Sequence, residues 1–299
     1  LAFIQRVPGT RRNKREKVRM PCAYRSRSQW ADDIRLLPML ACAAGAPAMK
    51  YNAANTSPHP VPSSGSFVEL GAFDGLSNSN TFMLERCYSW RGLLIEASPS
   101  NFKLLSSTSN RSAYKVHSAV CAAPGGYIDV SAEGDQMGGE VGLIPTETMR
   151  RFNHRLNLST SVAKVPCAPL GELMDRAGLR TEATFLSLDV EGAEVKVLLT
   201  IDPARFQVVL VETNVLGRFE NRAAEAKNAH VDAILTHAGL LRVPRLGNGV
   251  NHAYVRRDVL ERCGHAVNRT CTHICGAYQL PRMDCLRHHN FQDLHVAHG

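Results

Sequence analysis

Phe67-Val68-Glu69-Leu70-Gly71-Ala72-Phe73-Asp74-Gly75 decides the fold of this 299-residue chain. A short apolar run that stops at Glu-x-Gly-x-x-x-Gly reads as a buried strand followed by a sharp turn. Glycine at 71 and 75 lets the backbone bend and approach a ligand closely, and Glu69 and Asp74 place negative charge beside that approach. This argues against a phosphate. A dinucleotide loop needs Gly-x-Gly-x-x-Gly and a helix N-terminus open to pyrophosphate, whereas this loop lacks the middle glycine and carries carboxylates. A ligand bearing positive charge suits it better.

Working outward, Gly92-Leu93-Leu94-Ile95-Glu96 reads as a second buried strand whose terminal acid lies 25 residues after Gly71, the spacing of one βαβ unit. An acid at that tip can accept hydrogen bonds from both hydroxyls of a ribose. Ser98-Pro99 then supplies a helix N-cap followed by proline at the first helical position. Phe185 to Leu188 is a further apolar run, leading into Asp189, Glu191 and Glu194, and Val208 to Val211 ends at Glu212. Ligands of parallel sheets lie outside the carboxyl ends of the strands, so Asp74, Glu96, Asp189 and Glu191 are expected to face one cleft.

These stretches, together with Ser79-Asn80-Thr81, Trp90 to Ala97 and Leu186-Ser187-Leu188-Asp189-Val190-Glu191-Gly192-Ala193-Glu194, resemble the FkbM-type methyltransferases. The resemblance spans roughly residues 65–256 and is most specific in the Asp-Val-Glu-Gly-Ala-Glu block. It implies an α/β fold: a doubly wound, Rossmann-like class I methyltransferase sheet with an antiparallel last strand. It also implies S-adenosyl-L-methionine as cofactor and a hydroxyl of a sugar, glycan or small metabolite as methyl acceptor. By the same resemblance Glu69, Gly71, Ala72, Phe73, Asp74 and Gly75 would line the methionine portion of the cofactor. Glu96, Ala97 and Ser98 would serve the ribose, and Ala119 and Val120, in the Ala119-Val120-Cys121 segment, the adenine edge.

The remaining elements follow from periodicity and turn residues. Asn80 to Cys87 and Asn101 to Leu105 are expected helices, Tyr114 to Val120 a strand, and Tyr127 to Ser131, Val141 to Ile144 and Val162 to Val165 short β segments. Glu172 to Ala177 is a helix stopped by Gly178, and a second helix from Ala223 carries Val231, Ile234, Leu235 and Ala238 on one face before Gly239 ends it. Leu240 to Val243 and His252 to Arg256 flank Gly247-Asn248-Gly249 and form a hairpin.

Residues 1–62 read as a basic, unstructured leader and linker, 63–258 as the methyltransferase domain and 259–299 as a Cys/His-rich tail. Nine lysines or arginines against one glutamate in residues 1–30 account for the whole formal net charge of +8. The basic charge is therefore local, and a nucleic-acid partner is not expected. Leu36 to Met49 is apolar but short for a membrane span and carries two prolines, so it reads as a poorly ordered leader or a signal-like stretch.

Methyl transfer to a hydroxyl is helped by a general base, and Asp189 and Glu191 are the candidates, with cofactor or loop hydrogen bonding as their alternative role. His117 and His154 are further candidates. Asp-x-Glu lacks an assured third ligand, so no metal is expected in the domain. In the tail, Cys271-x3-Cys275 is the only close cysteine pair, and zinc, disulfides and an unstructured tail all stay open. Cys87, Cys121 and Cys167 read as small buried residues. Sequons at Asn55, Asn110, Asn157 and Asn268 permit glycosylation, and the compartment, cytoplasmic or secretory, stays open together with oligomeric state and membrane association. The competing readings are a catalytically inactive member serving as an interaction module in the membrane or secretory system, and a nicotinamide oxidoreductase.

Overall fold

A computed structural model describes residues 26–45, 64–107, 109–131, 139–143, 161–213, 222–248 and 250–268. Strand β1 (Ser66–Leu70) is buried along its whole length. That suits a run apolar on both faces, flanked by β2 (Arg91–Glu96) and β7 (Ala183–Leu188) in parallel register, with Phe67 opposite both Gly92 and Phe185. β3 (Tyr114–His117) extends the sheet beyond β2. On the other side β8 (Phe206–Glu212) runs parallel to β7, and β10 (Asn251–Arg256) pairs antiparallel with both β8 and β9 (Leu240–Arg242). The order is β3-β2-β1-β7-β8-β10-β9, a doubly wound Rossmann-like sheet whose winding reverses between β1 and β7. A crevice is expected outside the carboxyl ends of those two strands.

Alternating side chains divide the core into two layers. Phe67, Leu94, Phe185, Val208 and Leu210 meet helices α1 (Asp32–Ala43), α2 (Phe82–Tyr88) and α7 (Arg257–Asn268). Val68, Leu93, Leu186, Val209 and Val211 meet α4 (Leu170–Arg176), α5 (Glu194–Leu198) and α6 (Arg222–His237) on the opposite face. Helix α3 (Pro99–Ser107) begins at the expected proline.

Helix α1 corrects the reading of residues 32–43 as unstructured leader. Ile34, Leu36, Leu37, Met39 and Leu40 are buried. Two asparagines of the β9–β10 connection and β10, Asn248 and Asn251, donate side-chain hydrogen bonds to Asp32 at 2.8–2.9 Å. Pro38 hid the helix, which is stabilised by tertiary burial rather than by propensity. Cys42 is bonded to Cys263 of α7, so Cys263 belongs to the folded domain and not to a tail. Residues 1–25, 46–63 and 269–299 lie outside the described residues, and with them the rest of the leader and the Cys/His cluster.

The expected strand Tyr114 to Val120 breaks at Ser118. Beyond it, β4 (Ala119–Val120) leaves the main sheet and pairs with β6 (Val162–Ala168), which is antiparallel to β5 (Gly126–Ser131). The Ser118 hydroxyl donates to the Ala119 and Pro166 carbonyls at this corner. Cys121 and Cys167 form a disulfide across it, and Cys87 is disulfide-bonded as well, so none of the three is the simple buried thiol expected. Of Val141 to Ile144, residues 141–143 form a turn rather than a strand, the neighbouring Glu140 making a single bridge to Val130, and Ile144 lies outside the described residues.

Candidate active site

The carboxyl ends of β1, β2 and β7 open into a cleft at the point where the sheet reverses. Gly71 and Glu96 form its floor, Ala119, Val120, Ile128 and Val130 of the small sheet one wall, and Asp189, Val190 and Ala193 the other. Two devices shape the floor. Gly71 has φ +76°, and a Cβ there would stand 1.8 Å from the Asp189 carbonyl oxygen. Its glycine therefore serves the close approach of β1 to the tip of β7. Gly75, at φ +74°, likewise packs against Leu105 and Ser109.

Glu96 is buried at the tip of β2. Its carboxylate accepts the backbone N–H groups of Phe73 and Ser98, both at 2.7 Å, and burial pushes its pKa up to about 7 against those bonds. Phe73 sits at φ 48°, a left-handed conformation held by that hydrogen bond. One carboxylate thus fixes the turn after β1 and still borders the cleft.

Glu69, expected against the ligand, is buried in the protein, and Asp74, half-buried, is bonded to its own loop. Glu69 accepts from the Ser79 hydroxyl (2.8 Å), the Asn80 N–H (2.9 Å) and the Thr81 hydroxyl (2.6 Å). Asp74 accepts from the N–H groups of Leu76 and Ser77 and from the Ser77 hydroxyl. Both acids hold the 71–81 loop in shape, because short polar side chains satisfy local backbone donors that water cannot reach. Ala72, Gly75 and Ser98 are buried, and neither they nor Phe73 borders the cleft.

Beneath the loop lies a residue that the sequence reading missed. Arg111 is 5% exposed, and its guanidinium donates to Glu85 (2.6 Å), the Gly75 carbonyl (2.8 Å), Ser79 (3.1 Å) and Thr81 (2.8 Å), 3.9 Å from Glu69. It also stacks over the Phe67 and Phe82 rings. A planar fork of five donors suits such a buried hub. No motif flags it, since its partners lie 26–36 residues upstream.

The β7 wall is a carboxylate cluster. Asp189, Glu191 and Glu212 bring oxygens within 4.8 Å of one another. Asp189 is exposed on the cleft. Desolvation by the surrounding protein, with Glu194 and Glu69 nearby, raises its pKa despite a hydrogen bond with Glu212. Burial first, then the charges of Asp189 and Glu191, raise Glu212 further, so the pair shares a proton at neutral pH. Glu194, read from sequence as a solvated helix residue or a cleft acid, is fully buried. It accepts from the N–H groups of Val190 and Gly192 and pairs with Lys227 of α6 at 2.8 Å. That network holds the strained turn in which Glu191 has φ 53°. Glu212 is the third carboxylate the sequence did not assure, and three oxygen donors so placed could hold a hard divalent cation as well as a proton.

The cleft therefore gathers Gly71, Glu96, Ala97, Ala119, Val120 and Asp189 among the expected residues. His117 is structural: its Nε2 lies 3.1 Å from the Ala97 carbonyl and its ring stacks on Phe102. His154 lies outside the described residues.

Residues 69–241, more than half of the chain, match the family described as Methyltransferase FkbM domain. A solved structure, methyltransferase FkbM from Methylobacillus flagellatus KT, is similar at 13% identity and a TM-score of 0.36, over 78% of this chain and 56% of that one. No curated protein matches. The family match runs from Glu69 in β1 to Leu241 in β9 and takes in β2, β7 and the small sheet around the cleft, and the chain belongs to the FkbM methyltransferase family.

Proposed function

We propose that the cleft binds S-adenosylmethionine and that the chain methylates a hydroxyl of a sugar, glycan or small metabolite. The observation that carries the reading is the convergence of Glu96, Gly71 and Asp189 on one cleft at the reversal of the sheet. The residues fit the group: the Glu96 carboxylate, held by Phe73, Ser98 and Asn101, borders the cleft where a ribose diol would lie, and Ala119, Val120, Ile128 and Val130 offer an apolar slot for a base. When bound, the cofactor supplies an electrophilic methyl on a sulfonium. The chain's part is to orient an acceptor hydroxyl, exclude water and take its proton. Asp189, ionised above about pH 6, is the base best placed for this, and the neighbouring protonated Glu212 stabilises its charge by a hydrogen bond.

The competing reading, an inactive fold used as an interaction module, gains nothing from Glu69 and Asp74, which any folded member needs for its loop. Glu96 also holds a turn, so Asp189, which faces the cleft, is the acid that discriminates. Added S-adenosylhomocysteine should raise the melting temperature, as a ligand at a hundred times its Kd stabilises by about 2.7 kcal/mol. A shift with NAD(P) alone, or none with either, would overturn the proposal. Radiolabelled methyl transfer to a panel of hydroxylated acceptors would then identify the substrate.

A further inference from the structure

We propose that Asn110 carries an N-linked glycan and that the chain matures in an oxidising compartment equipped for that transfer. Two independent observations meet here. Every cysteine among the described residues, 42, 87, 121, 167 and 263, is disulfide-bonded. Such pairing is characteristic of the secretory route and rare where glutathione keeps thiols reduced. Separately, Asn110-Arg111-Ser112 is an acceptor triplet on the turn between α3 and β3, at the edge of the sheet. Within it the burial alternates: Ser109 and Arg111 are 1% and 5% exposed, while Asn110 between them faces solvent. Asn110 holds φ 44°, a left-handed conformation that asparagine tolerates better than most residues. A glycan on its amide would point away from the core and disturb no buried contact.

The fold also sets the order of events. The Ser112 hydroxyl, needed in the acceptor triplet, donates to Glu85 at 2.9 Å in the folded chain, beside the Arg111–Glu85 pair. Transfer therefore belongs to the nascent chain, before this turn closes. In that step the Asn110 side-chain nitrogen bonds to the anomeric carbon of an oligosaccharide delivered on a polyprenyl diphosphate. The bond from that carbon to the diphosphate oxygen breaks, the diphosphate leaves with the electron pair, and the amide gives up one proton.

The test is the full chain led into the secretory pathway of a eukaryotic cell by an appended signal, purified without reductant and mapped by mass spectrometry. Expected are both the Cys42–Cys263 and Cys121–Cys167 linkages and an Asn110 peptide that appears only after enzymatic deglycosylation in heavy-oxygen water, as labelled aspartate. Asn110→Gln should remove one glycan from the intact mass. Asn110→Asp, which keeps a residue suited to the left-handed turn, should do the same if the glutamine variant folds poorly. An unmodified Asn110 peptide from chains carrying both disulfides would overturn the proposal, as would glycan counts identical in wild type and both variants.

Discussion

Replacing Glu96 by glutamine should flatten the pH dependence of stability in a defined window. In the folded chain burial raises the Glu96 pKa from the ordinary 4.5 to about 7, against hydrogen bonds from Ser98 and Phe73. Below pH 4.5 the carboxyl is protonated in both states and nothing is lost. As pH rises towards 7 the unfolded chain ionises while the folded chain resists, so Glu96 withdraws about 1.4 kcal/mol of stability per pH step. Over the window that sums to about 3 kcal/mol, a large share of a typical domain's stability. Glutamine cannot ionise, but it keeps one carbonyl acceptor for two N–H groups, which lowers stability at all pH values by about 1–3 kcal/mol. Urea titrations of both proteins from pH 4.5 to 7.5 separate the two effects: an offset at low pH, and curves that converge as pH rises. Other buried acids, such as Asp33, raised to about 7, act equally on both proteins and cancel. Curves that stay parallel across the window would show that Glu96 ionises in the folded chain as it does in water, and the reasoning would fail. The ribose assignment makes a linked claim. Hydroxyl donors favour the carboxylate, so S-adenosylhomocysteine should bind more tightly at pH 8 than at pH 6, and Glu96→Gln should abolish that gain.

Arg111→Met should destabilise by about 3–5 kcal/mol in chemical denaturation, because Glu85 and Glu69 lose their buried partner. Arg111→Lys should recover only part of this, lacking the fork that spans Glu85 and the Gly75 carbonyl. Replacing Cys121 and Cys167 together by serine opens a link spanning 46 residues and should cost up to about 4 kcal/mol, seen as a lower denaturation midpoint that reductant no longer shifts further by this route. Wild-type turnover should fall as pH drops through about 6, where Asp189 protonates. Asp189→Asn should lower kcat by about 10²–10⁴-fold without weakening S-adenosylhomocysteine binding. A parallel loss of affinity would make Asp189 a cofactor contact instead.

Strands with apolar cores and acidic tips were readable because parallel strands buried on both faces leave an unbroken run, as in Leu93 to Ile95 and Val208 to Val211. What the run does not encode is the direction of each acid. Glu69 and Glu96 both sit at or near strand ends, and only packing decides that Glu69 turns to Ser79 and Thr81 while Glu96 borders the cleft. Helix α1 escaped notice because Pro38 in its interior weakens its local signal, and its burial depends on α7, more than 200 residues away. Arg111 was hidden for the same reason: a hub is defined by partners remote in sequence.

The sulfur bridge between α1 and α7 closes residues 42–263 into a covalent ring that contains the whole sheet. Tension applied to the two ends of the chain is therefore carried by that bridge and does not reach the strands. An unfoldase that threads polypeptides from one end would meet a loop it must draw through double-file. A single proteolytic nick inside the ring would leave both fragments tethered until a reductant was added.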